Sequence, residues 1–206
     1  MISTDELLVG LEELFPNPMC ELQFDSEFEL LVAVILSAQC TDRRVNQVTK
    51  ELFKKYNTPK DFASLKQEEL EKLIYSCGFY HNKAKNIIAA SKAIVELYDG
   101  KVPDAFDEII KLPGVGEKTA KVVLAVAFNR PGVAVDTHVG RIARRLGLTK
   151  ETDPSKVSHD LESMFDKKDW NRLHYMMVLF GRYYCKSLSP KCDGCKFAKN
   201  CNFNKK

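Results

Sequence analysis

The chain has 206 residues, 45% of them hydrophobic, which suits one large or two small domains with a real core. Its longest apolar run, LLVAVIL at 30–36, is far too short to span a bilayer, and the acidic opening MISTDELL lacks the basic start and apolar middle of a secretory signal, so a soluble, intracellular protein is expected. The formal net charge of +3 is unevenly spread: residues 111–150 hold eight Lys/Arg against two Asp/Glu, and residues 183–206 hold six Lys against one Asp, which presents basic zones to a polyanion.

Helical patterns recur along the chain and strand patterns are scarce, so the expected fold class is all-α. Ser3 and Glu6 have the spacing of a capping box that opens a helix with Leu7, Leu8, Leu11 and Leu14 as its apolar stripe. SEFELLVAVILSA is apolar nearly all round and predicts a central buried helix. HNKAKNIIAASKAIVELYDG carries Ile87, Ile88, Ala90, Ile94 and Leu97 at helical spacing and stops at Gly100. PDAFDEIIK reads as a short helix, and the brief GVAVDTH is the only alternating segment. TDPSKVSHDLESMF offers Asp153 as a cap with Pro154 at the first helical position. DWNRLHYMMVLFGRYYC predicts a final long helix whose Met and aromatic stripe faces a core. A mild boundary falls at NRPG, residues 129–132.

The stretch LPGVGEKTAKVVLAVAF, residues 112–128, sets Pro113, Gly114 and Gly116 ahead of Lys118. It matches neither nucleotide-binding glycine fingerprint, which follow a strand and place their glycines differently. Helix, tight glycine corner, helix is an alternative in which the free amides and positive dipole end of the second helix meet a phosphate. That site needs no base reading, as on a DNA backbone. From Lys118 to Phe128 the helix climbs about 15 Å. Residues 129–136 can span about 26 Å, so the chain can return and set Asp136 beside Lys118. A lysine facing a carboxylate at a phosphate corner is a nucleophile with a partner.

Cys185, Cys192, Cys195 and Cys201 form C-x6-C-x2-C-x5-C. In an intracellular chain this spacing reads as a metal site, and zinc and an iron–sulfur cluster both fit four thiolates. Cys20, Cys40 and Cys77 have no such partners and read as buried or bystander thiols.

LPGVGEKTAKVVL with VAVDTHVGRIARRLGL, LLVAVILSAQCTDRRVN at 30–46 and GFYHNKAKNI at 78–87 occur in the order found in the endonuclease III family of helix-hairpin-helix DNA glycosylase/AP lyases, which the chain resembles over nearly its whole length. The resemblance implies base-excision repair: a bifunctional N-glycosylase that removes oxidised pyrimidines and cleaves the abasic strand by β-elimination. Lys118 matches the family's Schiff-base nucleophile and Asp136 its stabilising carboxylate. Burial and the helix's positive end are expected to lower the pKa of Lys118. Monofunctional mismatch or uracil glycosylases of the superfamily lack the lysine and form the alternative. A non-catalytic DNA-binding module would need no Lys118–Asp136 pair, and a redox iron–sulfur protein would need no DNA motifs.

The resemblance further implies a [4Fe–4S] cluster on the four cysteines, in a loop of residues 185–201. It implies two helical lobes with a DNA-binding cleft between them. One is a six-helix barrel-like lobe, residues 22–132, with the hairpin at about 104–129; the other joins 1–21 to 133–206 and carries the cluster. Gln39 and the neighbourhood of Cys77 and Phe79 match residues that fill the gap left by a flipped base, Phe79 by stacking. Pro113, Gly114, Val115, Gly116, Thr119, His138 and Lys191 are the remaining expected DNA contacts, with Lys186, Lys196 and Lys199 also placed to grip backbone phosphates. The partner implied is double-stranded DNA with damaged bases or abasic sites, met by a monomer in the cytoplasm at the nucleoid.

Overall fold

A computed structural model describes residues 2–204; Met1, Lys205 and Lys206 lie outside the described residues, so two lysines of the basic tail are not placed. The described residues are helical with no strand, and no helix among them is long and apolar enough to cross a membrane. The chain divides into two compact units, one of residues 21–130 and the other joining 1–20 to 131–206.

The central unit holds α2 (Glu27–Ser37), α3 (Asp42–Leu52), α4 (Pro59–Ser64), α5 (Gln67–Ile74), α6 (Tyr80–Leu97), α7 (Phe106–Ile109) and α8 (Glu117–Phe128). α7 is a single turn. α2 is buried from Phe28 through Leu36, as its all-round apolar sequence requires, and it packs against α3, α6 and α8. Ser26 caps it by accepting the Glu29 N–H, and the buried Glu29 carboxylate accepts the Asp25 N–H at 2.6 Å, so its charge is spent on the chain entering the helix. Phe62 of α4 is fully buried and meets Phe28 edge-on at 5.3 Å. α4 and α5 both pack on α6, which places that helix at the middle of the unit.

The other unit holds α1 (Thr4–Leu14), α9 (Thr137–Leu146), α10 (Pro154–Met164) and α11 (Trp170–Tyr183). Its core draws Leu7 and Leu11 from α1, Val139, Ile142 and Leu146 from α9, and Met176, Met177 and Phe180 from α11. Asp153 caps α10 with Pro154 at the first position. At α1 only half of the expected capping box forms: Ser3 accepts the Glu6 N–H at 3.2 Å, but the Glu6 carboxylate turns to the Asn200 side chain at 3.4 Å. A tertiary contact outcompetes the local one.

The alternating GVAVDTH is not a strand. It runs extended with no strand partner, and side chains satisfy its backbone: the Gly132 N–H donates to Asn171, the Val133 N–H to Glu162, and the Val133 carbonyl accepts from Ser158. Its apolar residues Val133, Ala134 and Val135 are all buried, which explains the hydrophobic pattern without a sheet.

Gly10 faces Phe197 across the unit; a Cβ there would lie 2.6 Å from the ring of Phe197, itself 2% exposed. Gly10→Ala is therefore expected to destabilise the protein by about 1–3 kcal/mol through overpacking, read as a lower thermal midpoint. An unchanged midpoint would mean that the ring has room to retreat.

Candidate functional site

The hairpin forms where the glycines predict it. Leu112 is buried at its start, the Val115 N–H donates to the Leu112 carbonyl at 3.1 Å, and buried Val115 anchors the turn. Gly114 takes φ +79°, the left-handed region, and a Cβ there would lie 2.7 Å from Asn86 Cβ on α6. Pro113 is partly exposed and Gly116 exposed, the latter as the N-cap of α8 with no side chain capping it. The first intrahelical bond is Ala120 N–H to the Gly116 carbonyl at 2.9 Å, so the helix's positive end is turned outward with no protein oxygen from the cap on it. Lys118 is exposed and Thr119 partly so. The burial expected of Lys118 is absent: as second residue of an uncapped helix it has no packing layer above it.

The expected gap-filling residues lie in the same unit. Gln39, just after α2, has φ +53°, and Phe79, just before α6, has φ +47°. Both are non-glycine residues in a region that costs about 1–3 kcal/mol, a cost that persists only where surroundings hold it. Gln39 is exposed, and Phe79 is 65% exposed, so Phe79 is no core residue. Cys77 is the reverse: it is 1% exposed, and burial pushes its thiol up to about 11. A buried thiol cannot touch a nucleic acid, so the side chain that the segment Cys77–Phe79 presents is Phe79, beside the exposed Gly78.

Lys83 holds the two turns together. The residue is 5% exposed, and its ammonium donates to the Leu36 carbonyl at 2.8 Å and the Cys77 carbonyl at 2.7 Å. One bond ties the end of α2, three residues before Gln39; the other ties the chain two residues before Phe79. Burial lowers its pKa, opposed by the neighbouring Cys40 and Cys77 sulfurs. Phe79 at the N-cap and Lys83 and Asn86 on α6 recur at spacings of four and three, so one helical face carries Phe79, the clasp and the seat of Gly114. Sequence reasoning missed Lys83, since a lysine in HNKAK reads as a solvated helix residue.

In the other unit Asp136 caps α9, one carboxylate oxygen accepting the Val139 N–H at 2.8 Å. His138 is half-buried against Gly181, where an added Cβ would lie 2.7 Å from His138 Cβ, and its Nδ1 lies 3.2 Å from the Arg141 guanidinium. Burial lowers its pKa, opposed by Asp136 and reinforced by Arg141. Both surroundings make His138 a packing and hydrogen-bonding residue at the helix start.

The cysteine tail is tied to α9 by arginines that the sequence did not single out. Arg141 donates to the Cys185 carbonyl from Nε at 3.1 Å and to the Gly181 carbonyl at 2.9 Å. Arg145 reaches the Cys185 sulfur at 3.2 Å and the Lys186 carbonyl at 2.8 Å, and its own carbonyl accepts the Asn202 N–H at 2.8 Å. Cys195 has its pKa raised by burial first, against a backbone hydrogen bond at Phe197, with Cys185, Cys201 and Cys192 also raising it. No three His, Cys, Asp or Glu side chains among the described residues close on a single ion. Lys191 is exposed with its ammonium 5.1 Å from the Tyr184 ring centre.

Against known proteins, residues 32–167 match the HhH-GPD superfamily of base excision DNA repair proteins. The chain is 49% identical to endonuclease III of Bacillus subtilis over 94% of its length and 89% of the relative's. It is 47% identical to endonuclease III of a Synechocystis strain, over 95% of this chain and 90% of that one. Among solved structures, a trapped endonuclease III–DNA covalent intermediate with an estranged adenine superposes with a TM-score of 0.96 at 45% identity, covering 100% of this chain and 98% of that one.

Gly114→Ala is expected to displace the hairpin and weaken duplex DNA binding about tenfold, which is roughly 1.4 kcal/mol. Gly116→Ala, with φ −90° and nothing within 4 Å of the new Cβ, should lose less. Fluorescence anisotropy on a labelled duplex reads both, and equal losses would refute the steric account.

Proposed function

The chain belongs to the endonuclease III family within the HhH-GPD superfamily of base excision DNA repair proteins, and on that premise we propose that it is a bifunctional DNA glycosylase and abasic-site lyase acting on oxidised pyrimidines in double-stranded DNA. The observation that carries the reading is Lys118, a primary amine on the second residue of the helix that opens at the glycine corner. Exposure suits this role, since a nucleophile must meet a sugar delivered from solution.

The hairpin from Pro113 to Gly116 binds backbone phosphate through the outward amides and dipole of α8. The damaged nucleotide leaves the stack, at a cost of a few kcal/mol that damage reduces, while Phe79 wedges into the vacated step and Gln39 occupies the gap. The neutral Lys118 amine attacks C1′, the base departs with its bonding electrons and takes up a proton, and the opened sugar remains joined to Lys118 as a Schiff base. Asp136 steadies the positive charge that develops at the sugar and handles protons there; its second carboxylate oxygen is left over from the cap on α9. Loss of the C2′ proton expels the 3′ phosphate by β-elimination, and water then releases Lys118. A relative captured covalently on DNA supports this route, and the lysine disfavours a monofunctional mismatch or uracil glycosylase.

Cys185, Cys192, Cys195 and Cys201 would hold a [4Fe–4S] cluster. Four thiolates fit zinc and a cluster alike, and the resemblance to the endonuclease III family supports the cluster. When bound, the cluster supplies a cross-link for the tail rather than a redox step. Arg145, in contact with the Cys185 sulfur, offsets thiolate charge, and Lys191 extends the basic surface toward phosphate. The enzyme acts as a monomer at the nucleoid in the cytoplasm.

Borohydride added with abasic-site DNA is expected to trap a covalent adduct with the wild type and none with Lys118→Ala. An undiminished adduct in the variant would remove Lys118 as the nucleophile. Protein from iron-replete anaerobic cells is expected to be brown, with iron and acid-labile sulfide in equal amounts; a colourless, zinc-loaded preparation would overturn the cluster.

A further inference from the structure

The proposed reaction gives Lys83 no chemical step, yet its bonds fall on both of the turns that carry the expected gap-filling residues. Beyond Ser37 the helix α2 ends, and the Cys40 N–H goes to the Ser37 carbonyl at 3.0 Å, so the Leu36 carbonyl takes its donor from Lys83. On the other side, the Cys77 carbonyl stands just before Gly78 and Phe79, which have φ +64° and +47°. The Lys83 backbone N–H also donates to the Phe79 carbonyl at 3.1 Å. One residue therefore grips the Phe79 turn twice while the Phe79 ring stays exposed. A buried position beside Ala84, Ile87 and Ile88 suits an apolar side chain, and an ammonium there needs a compensating task. Its two carbonyls lie 47 and 6 residues away along the chain, so that task is to join the turns.

We infer that Lys83 is a positioning residue for base extrusion: it holds the Gln39 and Phe79 turns together, so that both side chains enter the duplex in concert as the damaged nucleotide leaves. This role rests on the proposed function. Unstacking a base is costly until the vacated step is filled, and a filler whose backbone wanders fills it less often. The Lys83 ammonium bonds to protein carbonyls, so the chemistry of Lys118 on a sugar that needs no extrusion proceeds without it.

The test compares wild type with Lys83→Met, which roughly keeps the volume and removes the donors. Two single-turnover assays are run: excision of an oxidised pyrimidine from a duplex, and borohydride trapping on a single-stranded abasic oligonucleotide, which has no stack to fill. Lys83→Met is expected to slow duplex excision by about tenfold or more and to change single-strand trapping by less than about twofold. In a Gln39→Ala/Phe79→Ala background the same substitution is expected to slow excision by less than about threefold, since the side chains through which it acts are gone. A loss there as large as in the otherwise wild-type chain overturns the positioning role, as does undiminished duplex excision. Equal loss in the two assays, in both Lys83→Met and Lys83→Gln (which keeps a donor), makes Lys83 a residue of the fold alone and overturns it as well. A wild type that neither excises nor traps would instead count against the proposed glycosylase, a separate result.

Discussion

One buried cation organises the working face of the central unit. The Lys83 ammonium has been taken out of water and given two backbone carbonyls, one at the end of α2 and one before α6. Desolvating an amine is costly, and carbonyls left without a donor would be costly too, so the arrangement is stable only when complete. Because the two carbonyls belong to segments ending in Gln39 and Phe79, the clasp also fixes the left-handed backbone at both. Asn86, three residues further along the same helix face, meets the corner of Gly114. The positions of the Gly114 hairpin and of Phe79 are therefore set by one rigid element, which is the usual requirement for a site that must hold its geometry while loops engage a ligand.

The second unit uses arginine where the first uses lysine. Arg141 and Arg145 leave α9 and satisfy carbonyls of the chain after α11, and Arg145 also touches a cysteine sulfur. The planar fork suits this task, since one side chain can bridge several acceptors on a loop that has little core of its own. Asp136 stands at the other end of α9, so the helix that anchors the tail is the helix that presents the carboxylate.

The elements most legible from sequence were those whose residues are consistent at every level. α2 is apolar all round and buried all round; α10 carries its cap and proline; the glycine corner turns at Gly114 because the left-handed backbone there excludes a side chain. α3 was harder, because only Val45, Thr49 and Leu52 are buried along a largely polar helix. GVAVDTH imitated a strand because three successive residues are buried on both sides, a pattern that burial alone can produce. The half-formed box at Ser3 and the exposed Lys118 show the same limit from opposite directions. A local motif reports which bonds are available, whereas tertiary packing decides which are made. Lys83 was illegible because its meaning lies in a partner far along the chain, the Leu36 carbonyl.

The unit of α1, α9, α10 and α11 is assembled from both ends of the polypeptide, with residues 21–130 inserted between its pieces. During synthesis at about 5–20 residues per second, the apolar stripe of α1 emerges on the order of ten seconds before α9 and α11 exist to cover it. Leu7 and Leu11, both fully buried at the end, spend that interval exposed on the nascent chain. The inserted unit can complete its own core meanwhile, so biogenesis runs from the middle outward. The first helix waits for the last loop, where Phe197 closes over Gly10 and Lys196 pairs with Glu13. A ribosome stalled late therefore leaves a finished hairpin unit carrying a greasy, unpartnered leader, the form most exposed to chaperones and proteases.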